Sequence, residues 1–141
     1  MIVLGSDRAG TELKNHLIDF LKEKNYEYRD CGEEPDYPDI AEKVCKKITS
    51  GEAEKGVLIC GTGIGISMSA NKIKGIRAAL CSDYFSAKYT RLHNDSNVIC
   101  FGGRVMGQGL AKELLDVFLN TEFEGGRHAL RVDKMMKLEE K

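Results

Sequence analysis

The chain has 141 residues, 42% of them hydrophobic and 30% charged, and its 21 basic and 22 acidic residues leave a formal net charge of −1. This length suits one domain around one core, and the composition excludes a disordered chain and a membrane-spanning segment. The balanced charge excludes bulk attraction to nucleic acid or to an anionic membrane, so an anionic partner needs a local binding site.

The first half of the chain alternates short apolar runs with helical patterns. Residues 2–4 predict the first strand, and the apolar stripe within residues 13–21 predicts a helix after it. A second strand is expected at residues 26–29, followed by a helix that contains residues 40–48. Residues 56–60, with the sequence GVLIC, form the most convincing buried strand.

The second half repeats this alternation and ends in an additional helix. A glycine-rich loop leads into a helix that ends near Lys72, and the further strands and helices are predicted at 77–80, 83–93, 97–101 and 107–120. Strands that alternate with helices predict a parallel sheet covered on both faces, because the crossovers are right-handed. We therefore expect an α/β fold, a three-layer αβα sandwich with a five-stranded parallel Rossmann-like sheet and an extra C-terminal helix.

The last segment lies outside the repeating units. We treat residues 1–141 as a single domain in which about residues 122–141 form a C-terminal arm. A charged helix outside the repeat is often a partner-binding element, so we expect this arm to serve dimerisation.

The cysteine pattern argues against structural disulfides and zinc. The five cysteines are an odd number, no two form a CxxC pair, and no apolar signal segment precedes them. We expect a reducing, cytoplasmic location, with most of the cysteines acting as small buried apolar residues.

One cysteine directly precedes a glycine-rich loop. Cys60 ends the predicted strand, and Gly61, Gly63 and Gly65 follow it within five positions. Glycines let the backbone approach a ligand, and converging N–H groups favour an oxyanion or a thiolate. The alternatives are an ordinary turn after a strand and a buried apolar cysteine.

Two further groups could contribute chemistry. His93 and Asn94 follow an amphipathic stretch, and a histidine there could titrate near neutrality. Arg127 and Arg131 are four residues apart, so on a helix both could bind one phosphate. The alternatives are a helix cap for His93 and a solvated face for the arginines.

Taken together, these segments closely resemble the ribose-5-phosphate isomerase B family, which includes the galactose-6-phosphate isomerase subunits. The resemblance covers nearly the whole chain and is most specific in two segments, CGTGIG at residues 60–65 and EGGRH at residues 124–128. Matching residues also lie at 57–59, 70–72, 75–78, 93–98 and 101–104.

The resemblance implies aldose–ketose isomerisation of a phosphorylated sugar through a cis-enediolate, with no metal and no organic cofactor. Cys60 would be the base, His93 would open the sugar ring, and Thr62 would assist at the ring oxygen. The implied substrate-binding residues are the loop residues Gly61, Gly63, Ile64 and Gly65, the hydroxyl-binding Asp7 and Asn94, and the phosphate-facing Arg104, Arg127 and Arg131.

Position 8 departs from the family pattern. Family members usually carry Asp-His at the end of the first strand, whereas this chain has Asp7-Arg8, where the cation is always charged. We expect D-ribose 5-phosphate and D-ribulose 5-phosphate as the substrate pair, with Arg8 adding to phosphate or hydroxyl binding. The alternatives are a six-carbon sugar phosphate, such as allose or galactose 6-phosphate, and a non-catalytic sugar-phosphate sensor.

The family resemblance also implies an oligomer. Its members are dimers or tetramers whose active sites are assembled between subunits. We therefore expect a homodimer or homotetramer with its active site at the subunit interface.

Overall fold

Five strands and six helices alternate along the chain in the computed structural model, which describes residues 1–141. The strands are β1 (Ile2–Ser6), β2 (Tyr28–Glu33), β3 (Lys55–Cys60), β4 (Ala78–Leu80) and β5 (Val98–Gly102). The helices are α1 (Thr11–Glu23), α2 (Tyr37–Thr49), α3 (Ile64–Ala70), α4 (Tyr84–Asn94), α5 (Gln108–Leu119) and α6 (Arg127–Lys137). Short 3-10 turns occupy Arg8–Gly10 and Leu138–Glu140.

The strands form one parallel sheet in the order β2-β1-β3-β5-β4. One core of 19 buried residues lies under α1, α4 and α5, and a second core of 14 lies under α2 and α3. Successive residues of the central strands point to opposite cores, which is why β3 and β5 are buried almost throughout. The predicted three-layer α/β fold with an extra C-terminal helix is confirmed.

Several predicted boundaries differ from the observed ones, and the first strand, for example, ends at Ser6 and not at residue 4. The second strand begins at Tyr28 and not at residue 26, because the Tyr26 N–H still bonds to the Leu21 carbonyl at the end of α1. β2 is an edge strand with mostly polar, exposed residues, so it lacks the apolar run that marks β1. The third helix ends at Ala70 instead of near Lys72.

None of the helices is both long enough and apolar enough to cross a membrane.

The sheet order brings three strand ends together. β3 lies between β1 and β5, so the segments that follow these three strands are neighbours at the carboxyl edge of the sheet. In open parallel sheets this edge is where ligands bind.

Candidate active site

Cys60 is the last residue of β3, and the chain turns back over its thiol. The Cys60 side chain is 4% exposed, and its Sγ accepts a hydrogen bond of 3.1 Å from the Gly63 N–H. Gly63 has a φ of +79°, and a Cβ there would lie 2.5 Å from Leu80 Cδ1. Only glycine fits this position, so the sequence GTG forms the turn that encloses the sulfur.

The turn leaves backbone donors free next to the thiol. The N–H groups of Gly61, Thr62 and Gly65 have no hydrogen-bond acceptor within the chain. The Ile64 N–H donates instead to Thr62 Oγ1 at 3.2 Å, which fixes the loop. Free donors beside a thiol can hold an oxyanion that forms on a bound molecule.

The segments after β1 and β5 flank this loop. The Asp7 N–H donates to the Ile59 carbonyl at 3.1 Å, and the Arg104 N–H donates to the Gly61 carbonyl at 3.0 Å. A Cβ at Gly61 would lie 3.6 Å from Arg104 Nη1, so the guanidinium covers the loop. Asp7 Oδ1 accepts the Gly10 N–H at 3.1 Å, and Arg8 is exposed in the same turn.

We call this set the cradle, which consists of residues 60–65 together with Asp7, Arg8 and Arg104.

Tyr37 also borders the cradle, although no motif in the sequence singles it out. A Cβ at Gly65 would lie 2.6 Å from Tyr37 Cζ, so the aromatic ring rests on the glycine. Tyr37 begins α2 and stays 41% exposed. No local pattern relates these two residues, because only the packing of α2 on α3 brings them together.

His93 belongs to a second set of residues. It lies in the last turn of α4, and its ring stacks on that of His128 with centroids 3.9 Å apart and planes 10° apart. His93 Nε2 is 3.8 Å from Glu124 Oε2. Glu124 and His128 belong to the EGGRH segment, but neither was predicted to take part in the chemistry.

His128 is the buried member of this set. It is 5% exposed, and its Nε2 has no hydrogen-bond partner. Burial lowers the pKa of His128 below 6.5, and His93 lowers it further, while Glu124 acts in the opposite direction. The structure therefore favours a neutral His128 beside a more exposed His93.

His93, Glu124 and His128 are close, but their orientation does not suit a metal ion. Their potential ligand atoms lie within 4.8 Å of one another. Imidazole lone pairs lie in the ring planes, and two rings stacked within 10° cannot direct both lone pairs at one ion. One ring would have to rotate before the three residues could share a ligand.

The histidine cluster, as we call it, consists of His93, Asn94, Glu124, His128 and the two arginines of α6. His93, Asn94, His128 and Arg131 line a pocket of about 280 Å³. Arg127 is the exposed first residue of α6.

The two pockets that His93 borders are not lined by the cradle. A second pocket of about 360 Å³ is lined by His93 and Asn94, together with Leu80 and Phe85. Neither this pocket nor the smaller one is lined by Cys60 or by the glycine loop. The sequence-selected residues thus fall into two separate groups.

Comparisons with known proteins agree with the resemblance found in the sequence. The model of the Ribose/Galactose Isomerase family matches residues 2–135. The chain is 44% identical to ribose-5-phosphate isomerase B of Escherichia coli, with 99% of this chain and 97% of that protein covered. It is 45% identical to D-erythrulose-4-phosphate isomerase of Pectobacterium atrosepticum, with 95% and 91% covered.

A solved structure gives the same result. Ribose-5-phosphate isomerase B of Clostridium thermocellum superposes with a TM-score of 0.96 at 47% identity, over 99% of this chain and 97% of that chain. The family match spans far more than half of the chain, and the relatives match over nearly their full lengths. The chain therefore belongs to the ribose/galactose isomerase family.

Proposed function

We propose that the protein interconverts D-ribose 5-phosphate and D-ribulose 5-phosphate. The observation that carries this proposal is the Cys60 thiol, which lies under the Gly63 N–H and next to the free N–H groups of Gly61, Thr62 and Gly65. A base beside a set of oxyanion donors is what proton transfer through an enediolate requires.

The cradle carries out the isomerisation step. The Cys60 thiolate removes the proton from C2 of the open-chain aldose, and the electron pair moves to the carbonyl oxygen to give the enediolate. The free N–H groups of Gly61, Thr62 and Gly65 stabilise the charged oxygen. The proton of the C2 hydroxyl passes to O1, and the Cys60 thiol returns its proton to C1 as C2 becomes the carbonyl carbon of the ketose. Asp7 holds a sugar hydroxyl beside the loop, and Arg104 contributes to phosphate binding.

The histidine cluster opens the ring and binds the phosphate. His93 moves the proton that the furanose must exchange when its ring opens, Thr62 assists at the ring oxygen, and Asn94 binds a hydroxyl. Arg127 and Arg131 bind the phosphate at the start of α6. Phosphate binding far from C1 and C2 supplies energy that positions the reacting carbons.

One complete site then needs two copies of the chain. The cradle and the histidine cluster line no common pocket among those that His93 borders, and apolar side chains are exposed near both of them. Ile64 is 51% exposed, Met68 61% and Phe85 66%, and such surface is typical of an interface. We therefore assign the cradle of one copy and the histidine cluster of its partner to each active site, with residues 122–141 as the dimerisation arm.

The substrate is tested by a coupled assay in the presence of EDTA. We expect kcat/KM for ribose 5-phosphate to exceed that for allose and galactose 6-phosphate by at least about tenfold, because the site must fit the shorter sugar. D-erythrulose 4-phosphate belongs in the comparison, since a relative named for that substrate is as similar as one named for ribose 5-phosphate. A higher kcat/KM for another sugar phosphate would make that sugar the substrate in place of ribose 5-phosphate. Binding without turnover would indicate a sensor.

Arg8 supplies a further test of the substrate assignment. Its exposed guanidinium adjoins Asp7 at the cradle, so Arg8→His should raise KM for ribose 5-phosphate several-fold by removing a permanent charge. Steady-state kinetics over a range of substrate concentrations measure this effect. An unchanged KM and an unchanged substrate preference would remove Arg8 from the site.

A further inference from the structure

The segment that carries His93 ends in a left-handed backbone conformation. Asp95 caps α4 with a φ of 49° and a ψ of 44°. Aspartate and asparagine adopt this region more readily than other residues that carry a Cβ, because their short polar side chains form local hydrogen bonds. Apart from glycines, only Asn25 shares a positive φ.

Two arginines hold Asp95 in place. Asp95 Oδ1 accepts a hydrogen bond from Arg91 Nη1 at 2.8 Å, and Oδ2 lies 3.3 Å from Arg77 Nη2. The Asp95 carbonyl also accepts a hydrogen bond from Arg77 Nε at 2.8 Å. Both carboxylate oxygens and the carbonyl are therefore fixed by guanidinium groups.

Arg91 extends this network to the segment that precedes α6. Its side chain is 8% exposed, and its Nε donates to the Thr121 carbonyl at 3.0 Å. The Glu124 N–H donates to the Leu92 carbonyl at 3.1 Å. These two hydrogen bonds attach the end of α4, which carries His93, to the segment before α6. That segment carries Glu124 and leads to His128.

Arg77 connects the network to the edge of the sheet. Its N–H donates to Asn97 Oδ1 at 2.8 Å, and the Asn97 N–H donates to the Arg77 carbonyl at 3.0 Å. Asp95 therefore connects the end of α4, and with it His93, to the segments that precede β4 and β5. No other carboxylate accepts a hydrogen bond from either arginine.

From these contacts we propose that Asp95 is a positioning residue, which sets the place of His93 and Asn94 in the active site without itself contacting the reacting atoms. The proposal rests on the proposed function, in which His93 opens the furanose and Cys60 transfers the proton between carbons. A displaced His93 should impair ring opening and leave proton transfer at the cradle intact. Ribulose 5-phosphate separates these steps, because its C5 oxygen is phosphorylated and it cannot close a furanose ring.

The experiment compares two readouts in Asp95→Asn. The first is kcat for ribose 5-phosphate, which needs ring opening, and the second is exchange of the C1 hydrogen of ribulose 5-phosphate with D2O, followed by NMR. We expect kcat to fall about 10- to 100-fold, since small misplacements of a catalytic group have effects of that order. The rate of C1 exchange should stay within about threefold of that of the unsubstituted protein. His93→Ala should likewise lose kcat for ribose 5-phosphate and keep C1 exchange.

Asp19→Asn is the matched control. Asp19 lies on α1, is exposed and belongs neither to the cradle nor to the histidine cluster, so the same chemical change there should leave both readouts unchanged. Arg77→Gln serves if Asp95→Asn does not fold, because it removes one guanidinium and leaves the Arg91 pair. Arg77→Gln should also lower kcat and keep C1 exchange, with a smaller loss of kcat than Asp95→Asn.

The outcomes distinguish the inference from the function on which it rests. An equal fall in both readouts, or an unchanged kcat in a folded variant, would overturn the positioning role. If the unchanged protein catalyses neither reaction, the proposed function fails, whatever the variants do.

Discussion

At the scale of single residues, the environment separates one cysteine from the other four. Burial raises the pKa of Cys45 to about 12 and that of Cys81 to about 11, and it raises the pKa of Cys31 and Cys100 as well. These thiols stay protonated at neutral pH. Cys60 is the one cysteine whose sulfur takes part in a hydrogen bond, with the Gly63 N–H.

Gly63→Ala tests whether the turn over Cys60 depends on glycine. The φ of +79° and the 2.5 Å approach of Leu80 Cδ1 should make this change cost about 2–4 kcal/mol of stability. Turnover should fall at least about 100-fold, because the donors beside the thiol move. Urea denaturation and steady-state kinetics measure the two effects.

Gly109→Ala is the control for this substitution. Gly109 lies in α5, and a Cβ there would meet no atom within 4 Å. Alanine is the better helix residue, so stability should rise by up to about 1 kcal/mol with no change in turnover. A Gly63→Ala variant that behaves like Gly109→Ala would show that the turn does not require glycine.

At the scale of elements, the apolar strands could be located from composition, whereas the polar edge strand was expected but its bounds could not be located. β1, β3 and β5 are buried runs, so their local composition reveals them. β2 contains Arg29, Asp30 and Glu33, and only its pairing with β1 makes it a strand. The strand order likewise depends on pairings between distant segments, which periodicity does not report.

The helix α6 rests on a single buried residue. His128 is its only buried side chain, whereas Leu130 is 61% exposed and Leu138 is 63% exposed. Burial and the neighbouring His93 keep the pKa of His128 below its ordinary 6.5, so the neutral form is the one that packs. The attachment of α6 should therefore depend on pH.

We predict that stability is fully present above about pH 6.5 and decreases as the pH falls below it, because the unfolded chain takes up a proton that the folded chain resists. Urea denaturation at several pH values tests this, together with NMR titration of His128. His128→Leu keeps a buried side chain between α6 and α4, and it should remove this pH dependence of stability. An NMR pKa above 6.5 would contradict the prediction, since Glu124 would then outweigh burial.

At the scale of the whole molecule, the sequence supplied candidate site residues but not their grouping. The cradle is contiguous at residues 60–65, so its glycines and cysteine could be recognised locally. Glu124 and His128 join His93 only through the packing of α6 on α4, which no local pattern contains. The separation of Cys60 from His93 in one chain is also a property of the fold alone.

Subunit mixing tests the proposal that each site uses two copies. Cys60→Ala and His93→Ala should each be inactive, but a mixed dimer would contain one site with both residues intact. Random pairing should therefore restore about a quarter of the normal activity when the two variants are unfolded and refolded together in equal amounts. No restored activity, in a mixture shown to contain mixed dimers, would place both residues in one subunit.

The central claim is that Cys60 carries the proton between C1 and C2. The most direct measurement is exchange of the C1 hydrogen of ribulose 5-phosphate with D2O in Cys60→Ala, alongside calorimetric binding of ribose 5-phosphate. We predict that exchange falls about 1,000-fold or more while affinity changes only a few-fold, and that Cys45→Ala, at a fully buried cysteine, keeps its exchange. Undiminished exchange in Cys60→Ala would contradict the account, because another group would then have to be the base.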